Sequence, residues 1–89
     1  MVTIQGIVVG KVQGVGFRYF IKRHAGSNKV LGYAKNLADG TVEFLLQGDD
    51  KPVKAVIAEI KRGPNFSIVE NVTTNQRSAV NTLYGFEVL

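Results

Sequence analysis

Two segments of the chain have apolar residues at helical spacing, but on one side only. These stripes are Phe17, Phe20, Ile21 and Ala25 in the first segment and Val53, Val56, Ile57 and Ile60 in the second. A helix of this kind buries its apolar stripe against another layer of structure and leaves its opposite side in water. The chain is therefore predicted to place two helices on the same face of a sheet.

The remaining elements are predicted to be strands. Five runs are rich in the β-branched and aromatic residues that favour strands, at residues 3–13, 30–37, 41–47, 66–74 and 84–89. Asp39-Gly40 indicates a hairpin between the second and third strands. Residues 75–82 are polar and are predicted to form a loop. The order β-α-β-β-α-β with a short terminal strand predicts an α+β, ferredoxin-like sandwich. We expect this fold to have an antiparallel sheet and to form a single domain over residues 1–89.

The helix ends are also marked in the sequence. Gly14-Val15-Gly16 separates the first strand from the first helix, and Asn28 is expected to end that helix in a left-handed conformation. Asp49 or Asp50 is expected to cap the second helix, and Gly63-Pro64 to stop it.

Composition restricts the possible chemistry. The chain has no cysteine, which excludes disulfides, thiolate catalysis and cysteine-bound metals. Neither a signal peptide nor a membrane-spanning run is visible, so a soluble, cytoplasmic protein is expected. The net charge of +4 favours an anionic ligand, which could be a phosphate ester, a nucleic acid or an acidic partner.

The stretch from Gly10 to Arg18 combines a strand, a glycine turn and a helix start. Backbone N–H groups in such a turn can form a concave anion site, and the helix start adds unpaired N–H groups. Arg18 could bind two phosphate oxygens. The pattern is neither a Walker loop, which ends in GK[ST], nor a dinucleotide fingerprint, because Tyr19 stands at the third glycine position. The plainer interpretation is a glycine turn with a solvated Arg18.

Asn36 precedes the predicted hairpin. Asparagine at such a position commonly bonds to its own backbone in a turn. The functional interpretation is that its amide points at a water molecule.

Two motifs at a specific spacing resemble the acylphosphatase family. Val12-Gln13-Gly14-Val15-Gly16-Phe17-Arg18 is followed, 18 residues after the arginine, by Asn36 within Gly-Tyr-Ala-Lys-Asn-Leu-Ala-Asp-Gly-Thr-Val. Arg62-Gly63-Pro64 and the closing Gly85-Phe86-Glu87-Val88 are also similar to that family.

The resemblance implies hydrolysis of a small acyl phosphate, with inorganic phosphate as product and no metal or organic cofactor. It implies that Arg18 binds the phosphate and that Asn36 orients the attacking water. The loop amides that share the phosphate are those of Gln13, Gly14, Val15, Gly16, Phe17 and Arg18. We expect a monomer that binds neither nucleic acid nor a membrane.

The inventory of other reactive groups fits this chemistry. The only histidine, His24, is expected to be structural. A carboxylate leaving group, with a pKa of about 4 for its acid, departs without protonation, so no general acid is needed. Lys29, Ala34 and Ala38 depart from the family's usual residues, which bears on stability or substrate preference.

Two alternatives remain. Tyr33 and Phe44 on central strands, with the positive net charge, invite comparison with an RNA-binding ferredoxin-like module. The second alternative is a non-catalytic or regulatory acylphosphatase-like domain of the kind fused into larger carbamoyl-transferring proteins. Because the given sequence stops at Leu89, the free-standing enzyme is the preferred expectation.

Overall fold

The helices and strands follow the predicted order. The computed structural model describes residues 1–89. The elements are β1 (Val2–Lys11), α1 (Phe17–Ser27), β2 (Leu31–Asn36), β3 (Val42–Gly48), α2 (Asp50–Arg62), β4 (Ile68–Gln76) and β5 (Phe86–Val88). Neither helix is both long enough and apolar enough to cross a membrane.

The five strands form one sheet in the order β4-β1-β3-β2-β5. The four longer strands make the predicted antiparallel sheet, and β5 adds a parallel pair with β2 at one edge. Because β3 runs antiparallel to both of its neighbours, β1 and β2 point the same way. Val8 of β1 and Asn36 of β2 both pair with Val42, one from each side. The carboxyl ends of β1 and β2 therefore meet at the start of β3.

Both helices pack on one face of the sheet, as the two stripes predict. The buried stripe residues are Phe17, Phe20, Ile21 and Ala25 in α1 and Val53, Val56 and Ile60 in α2. Ile57 is partly buried at the margin of the same core. Burying one large aliphatic or aromatic side chain contributes about 1.5–3 kcal/mol relative to leaving it exposed. The stripes therefore decide which side of each helix faces the sheet.

The end of α1 differs from the prediction by one residue. Asn28 has a φ of -104°, whereas Lys29 has a φ of 57° and is the left-handed residue. The Val30 N–H donates to the Ala25 carbonyl at 2.9 Å, and the Lys29 N–H donates to the Gly26 carbonyl at 3.2 Å. These two bonds close a Schellman motif, which needs its left-handed residue one position after the helix cap.

The ends of α2 agree with the prediction in position, but not in the capping bond. Asp49 occupies the cap position with an extended backbone, yet its side chain makes no capping hydrogen bond. Asp50 lies in the first turn and forms an exposed ion pair with Lys54 at 3.0 Å. Gly63 ends the helix as expected.

β2 and β3 differ from their predicted bounds by one residue at each end, and the other three strands differ by more. β1 ends at Lys11 rather than at residue 13, because the chain leaves the sheet there. β4 spans Ile68–Gln76 rather than residues 66–74: Phe66 has a φ of 71°, which lies outside the extended range of a regular strand, and Gln76 pairs with Ile4. β5 has three residues, 86–88, instead of six.

Candidate active site

The residues between β1 and α1, 12–16, form a glycine loop at the carboxyl end of β1. Gly14 and Gly16 have φ values of 73° and 77°, a left-handed conformation that other residues adopt at a cost. The backbone N–H groups of Gly14, Val15 and Gly16 donate to no backbone carbonyl. The first three N–H groups of α1 have no partner inside the helix either. The loop therefore offers a series of free donors next to the positive end of a helix dipole.

Arg18 stands in the first turn of α1, beside these donors. Its side chain is half-buried, and Nη1 donates to the carbonyl oxygen of Leu89 at 2.7 Å. The guanidinium has five N–H donors in all, so most of them remain available for an anion. No feature of the sequence indicated a contact between Arg18 and Leu89, because only the pairing of β5 with β2 brings Leu89 to Arg18.

Asn36 is the last residue of β2, one position before the loop that joins β2 to β3. Its side-chain oxygen Oδ1 is buried and has no hydrogen-bond partner. Buried polar atoms nearly always have a partner in a protein or in ordered water. The Asn36 carboxamide oxygen is therefore an acceptor that no protein group in this structure uses.

The loop after Asn36, residues 37–41, is called here the hairpin loop. The Leu37 N–H donates to the Thr41 carbonyl at 2.9 Å and closes the loop. Both the N–H and the hydroxyl of Thr41 donate to Asp39 Oδ1, at 3.0 and 2.6 Å. These bonds hold the pKa of the Asp39 carboxyl below its usual value, and the bond from the Thr41 side chain has the larger effect. Asp39 is therefore a structural turn residue.

One cavity of about 210 Å³ brings the predicted phosphate site and the predicted water site together. It is lined by Val12, Gly14, Gly16, Phe17, Arg18, Tyr19 and Asn36. Arg18 is its only charged residue. No carboxylate or histidine lines it, so its charge favours an anion.

The structure separates two of the predicted loop residues from this cavity. The Val15 side chain packs against the hydrophobic core. The Gln13 side chain turns to the hairpin loop, where Nε2 donates to the carbonyls of Leu37 and Thr41 at 2.8 and 2.9 Å. Tyr19, for which the sequence indicated no functional role, lines the cavity and is 64% exposed.

A second, more open cavity of about 840 Å³ lies at the end of α2. Its charged residues are Arg23 and Arg62, and Arg62 is paired with Glu59 at 2.7 Å. It contains neither the glycine loop nor Asn36. No three histidine, cysteine, aspartate or glutamate side chains lie close enough together to hold a metal ion.

The two aromatic residues behind the RNA-binding alternative lie on opposite faces of the sheet. Phe44 is fully buried beneath the helices. Tyr33 lies on the other face, and its hydroxyl donates to Glu43 Oε2 at 2.6 Å. Burial, together with this hydrogen bond and the charge of Glu43, raises the pKa of Tyr33 to about 12. A stacking platform needs its aromatic rings on one exposed face, so this pair does not form one.

Comparison with known proteins identifies the family of the chain. A family model described as Acylphosphatase matches residues 4–88. An acylphosphatase from Caldivirga maquilingensis is 42% identical over 88 residues, which cover 98% of this chain and 93% of that protein. The crystal structure of acylphosphatase from Bacillus subtilis superposes with a TM-score of 0.95 at 34% identity, covering 100% of this chain and 99% of that one.

A longer protein contains a similar unit. In the crystal structure of HypF from T. kodakarensis, 12% of the chain matches all of this one, with a TM-score of 0.87 and 27% identity. Two findings decide the family of this chain: the family model matches from β1 to β5, and the relatives are of nearly equal length. The chain belongs to the acylphosphatase family.

Proposed function

We propose that this acylphosphatase hydrolyses acyl phosphates at the cavity between the glycine loop and Asn36, giving a carboxylate and inorganic phosphate. The observation that carries the proposal is the position of Asn36. Its unpartnered Oδ1 belongs to a residue that lines the same cavity as Arg18 and the loop glycines. Donors for an anion and an acceptor for water therefore belong to one small site.

Arg18 and the free loop amides are proposed to hold the phosphoryl group. Phosphoryl transfer depends mainly on positioning and on stabilising the charge of the equatorial oxygens. A guanidinium can donate to two phosphate oxygens at once, and backbone amides supply further donors without reorganising during the reaction. The backbone amides of residues 13–18 are included in this proposal, although the side chains of Gln13 and Val15 point elsewhere.

Asn36 is proposed to hold the attacking water through Oδ1. The water oxygen attacks phosphorus, and the bond between phosphorus and the acyl oxygen breaks with its electron pair leaving on the carboxylate. A phosphate oxygen takes the proton that the water releases, because the cavity contains no side chain that would act as a base. The carboxylate needs no proton to depart, which agrees with the absence of an acid from the cavity lining.

The proposed substrate is a small-molecule acyl phosphate, and the proposed reaction uses neither a metal nor an organic cofactor. The monomeric state, the cytoplasmic location, the single-domain organisation and the lack of nucleic-acid binding stay predictions.

The test is hydrolysis of benzoyl phosphate by the purified protein in excess EDTA, beside Arg18→Ala and Asn36→Ala. We expect turnover by the wild type and none detectable by Arg18→Ala. Binding measurements should show that Arg18→Ala has a lower affinity for inorganic phosphate than the wild type. Circular dichroism controls for folding. A folded wild type that binds phosphate without turnover would instead favour the non-catalytic, regulatory domain.

A further inference from the structure

The side chain of Gln13 joins two parts of the site that the sheet itself keeps apart. The glycine loop leaves β1 and Asn36 ends β2, and β3 lies between these two strands. With neighbouring strands about 4.8 Å apart, β1 and β2 are separated by about 10 Å. No backbone ladder can connect them directly, because each pairs with β3.

Both donor hydrogens of the Gln13 carboxamide are used across this gap. Nε2 donates to the Leu37 carbonyl at 2.8 Å and to the Thr41 carbonyl at 2.9 Å. Leu37 and Thr41 are the two residues whose backbones close the hairpin loop, through the Leu37 N–H and the Thr41 carbonyl. One side chain therefore fixes both ends of the hairpin loop to the residue that precedes Gly14.

Asn36 depends on this support because its own side chain makes no hydrogen bond to the protein. Its Oδ1 has no partner. Its position follows from the backbone, which is paired with Val42 on one side and runs into Leu37 on the other. Whatever holds Leu37 in place thus also holds the direction in which the Asn36 side chain leaves the backbone.

We propose that Gln13 is a positioning residue for the reaction: its side chain sets the placement of Asn36 relative to the phosphate-binding glycine loop. The inference rests on the proposed function of the cavity. A displacement of about 1 Å at a reacting group can cost about 100-fold in rate, so a link that sets this distance affects turnover. Phosphate binding itself needs only the loop amides and Arg18, which the link does not form.

The experiment compares Gln13→Met, which keeps the length of the side chain but has no donors, with wild type and with Gln13→Ala. Each Gln13 substitution is also combined with Asn36→Ala. Benzoyl phosphate gives kcat and KM, and inhibition or binding of inorganic phosphate reports on the loop. Should Gln13→Ala fail to fold, Gln13→Met alone carries the comparison.

Gln47→Met is the matched control. Gln47 is more deeply buried than Gln13, and its carboxamide likewise holds a loop through two bonds, to the N–H and carbonyl of Val80. It lies five residues along β3 from Val42, or about 17 Å from the site. A loss that arises from general destabilisation appears in both variants, whereas a loss that arises from positioning appears only at Gln13.

We expect Gln13→Met to lower kcat by at least about tenfold and to change the phosphate inhibition constant by less than about threefold. In the Asn36→Ala background, the same substitution should cause no further loss of kcat. The amides of Leu37 and Gly40 should exchange hydrogen faster in Gln13→Met.

Three results overturn the proposal: an unchanged kcat in Gln13→Met, an equal loss in Gln47→Met, or a full additional loss in the Asn36→Ala background. A wild type without turnover would instead contradict the proposed function. Hydrogen exchange then tests whether Gln13 holds the hairpin loop. Faster exchange at Leu37 and Gly40 in Gln13→Met than in wild type supports this link, and unchanged exchange refutes it.

Discussion

Arg18 donates a hydrogen bond of 2.7 Å from Nη1 to the carbonyl oxygen of Leu89. Leu89 in turn donates its N–H to the Ala34 carbonyl at 2.8 Å. Ala34 lies on β2, two residues before Asn36. The guanidinium and the carboxamide proposed to act on one phosphoryl group are therefore both positioned by the same strand, although they lie 18 residues apart in sequence.

Deleting Leu89 should weaken phosphate binding, because the guanidinium loses the acceptor that holds its direction. A hydrogen bond to a charged group contributes about 1.5–3 kcal/mol when well formed, and less at an exposed site. We expect the inhibition constant of inorganic phosphate to rise by up to about tenfold, which corresponds to about 1.4 kcal/mol. Leu89→Ala, which keeps the carbonyl, is the control. Equal affinity in the deletion variant and the wild type would show that the contact does not orient Arg18.

Asn36→Ala should lower kcat far more than it changes KM. The proposed water contact matters in the transition state, whereas the phosphate is held elsewhere, by Arg18 and the loop. Loss of one aligned polar group at a reacting centre commonly costs about 100-fold to 1,000-fold. Steady-state kinetics with benzoyl phosphate measures the two constants, with circular dichroism as the check on the hairpin. A parallel rise of KM with unchanged kcat would assign Asn36 to substrate binding instead.

Gln47→Ala should destabilise the fold without altering turnover per folded molecule. Gln47 accepts from Thr3 Oγ1 at 2.7 Å and bonds both backbone groups of Val80, so it anchors the chain between β4 and β5 to the sheet. Leaving buried partners unsatisfied costs about 1–3 kcal/mol for each group, reduced where water reaches it. Urea unfolding measures the loss, and Gln76→Ala, at an exposed position of β4, serves as the reference substitution. A loss no larger than that of the reference would contradict the anchoring role.

Lys29→Gly should stabilise the protein. Lys29 holds a φ of 57° at the end of α1, where a residue with a Cβ pays about 1–2 kcal/mol. Glycine removes this strain but loses about 0.5–1 kcal/mol of backbone entropy on folding. A net gain of up to about 1 kcal/mol in unfolding free energy follows, measured by thermal or urea unfolding. Lys29→Ala removes the charge and keeps the Cβ, so it should bring no such gain; if it does, charge rather than strain is the cause.

Stability should fall as the solution becomes strongly alkaline, and Tyr33 should account for part of the fall. Its pKa is raised from 10.0 to about 12 in the folded protein, chiefly by burial and then by Glu43. Between these two pH values Tyr33 loses its proton in the unfolded chain but keeps it in the folded protein. The contribution of Tyr33 to the free energy of unfolding is therefore complete below pH 10.0 and is lost as the pH rises through about 12. Urea unfolding across this range should show a steeper decline for wild type than for Tyr33→Phe. Parallel profiles would mean that Tyr33 keeps its ordinary pKa in the fold.

Much of the fold was predictable because the local patterns agree with one another. Two one-sided stripes, the hairpin at Asp39-Gly40 and the stop at Gly63 all appear where the sequence places them. The errors fall at element ends. Lys29 rather than Asn28 is left-handed because the Schellman bonds need the later position, and β4 is shifted because its pairing with β1 sets its limits.

For the site, the sequence by itself determined the glycine loop, the arginine in the first helical turn and the asparagine before the hairpin, because these depend on neighbours along the chain. The tertiary structure decided what those residues touch. The shared direction of β1 and β2 brings Arg18 and Asn36 to one cavity, β5 brings Leu89 to Arg18, and Gln13 reaches across β3 to Leu37. These spatial relationships join residues 18 to 71 positions apart, and they are set by pairing between strands, which no local pattern records.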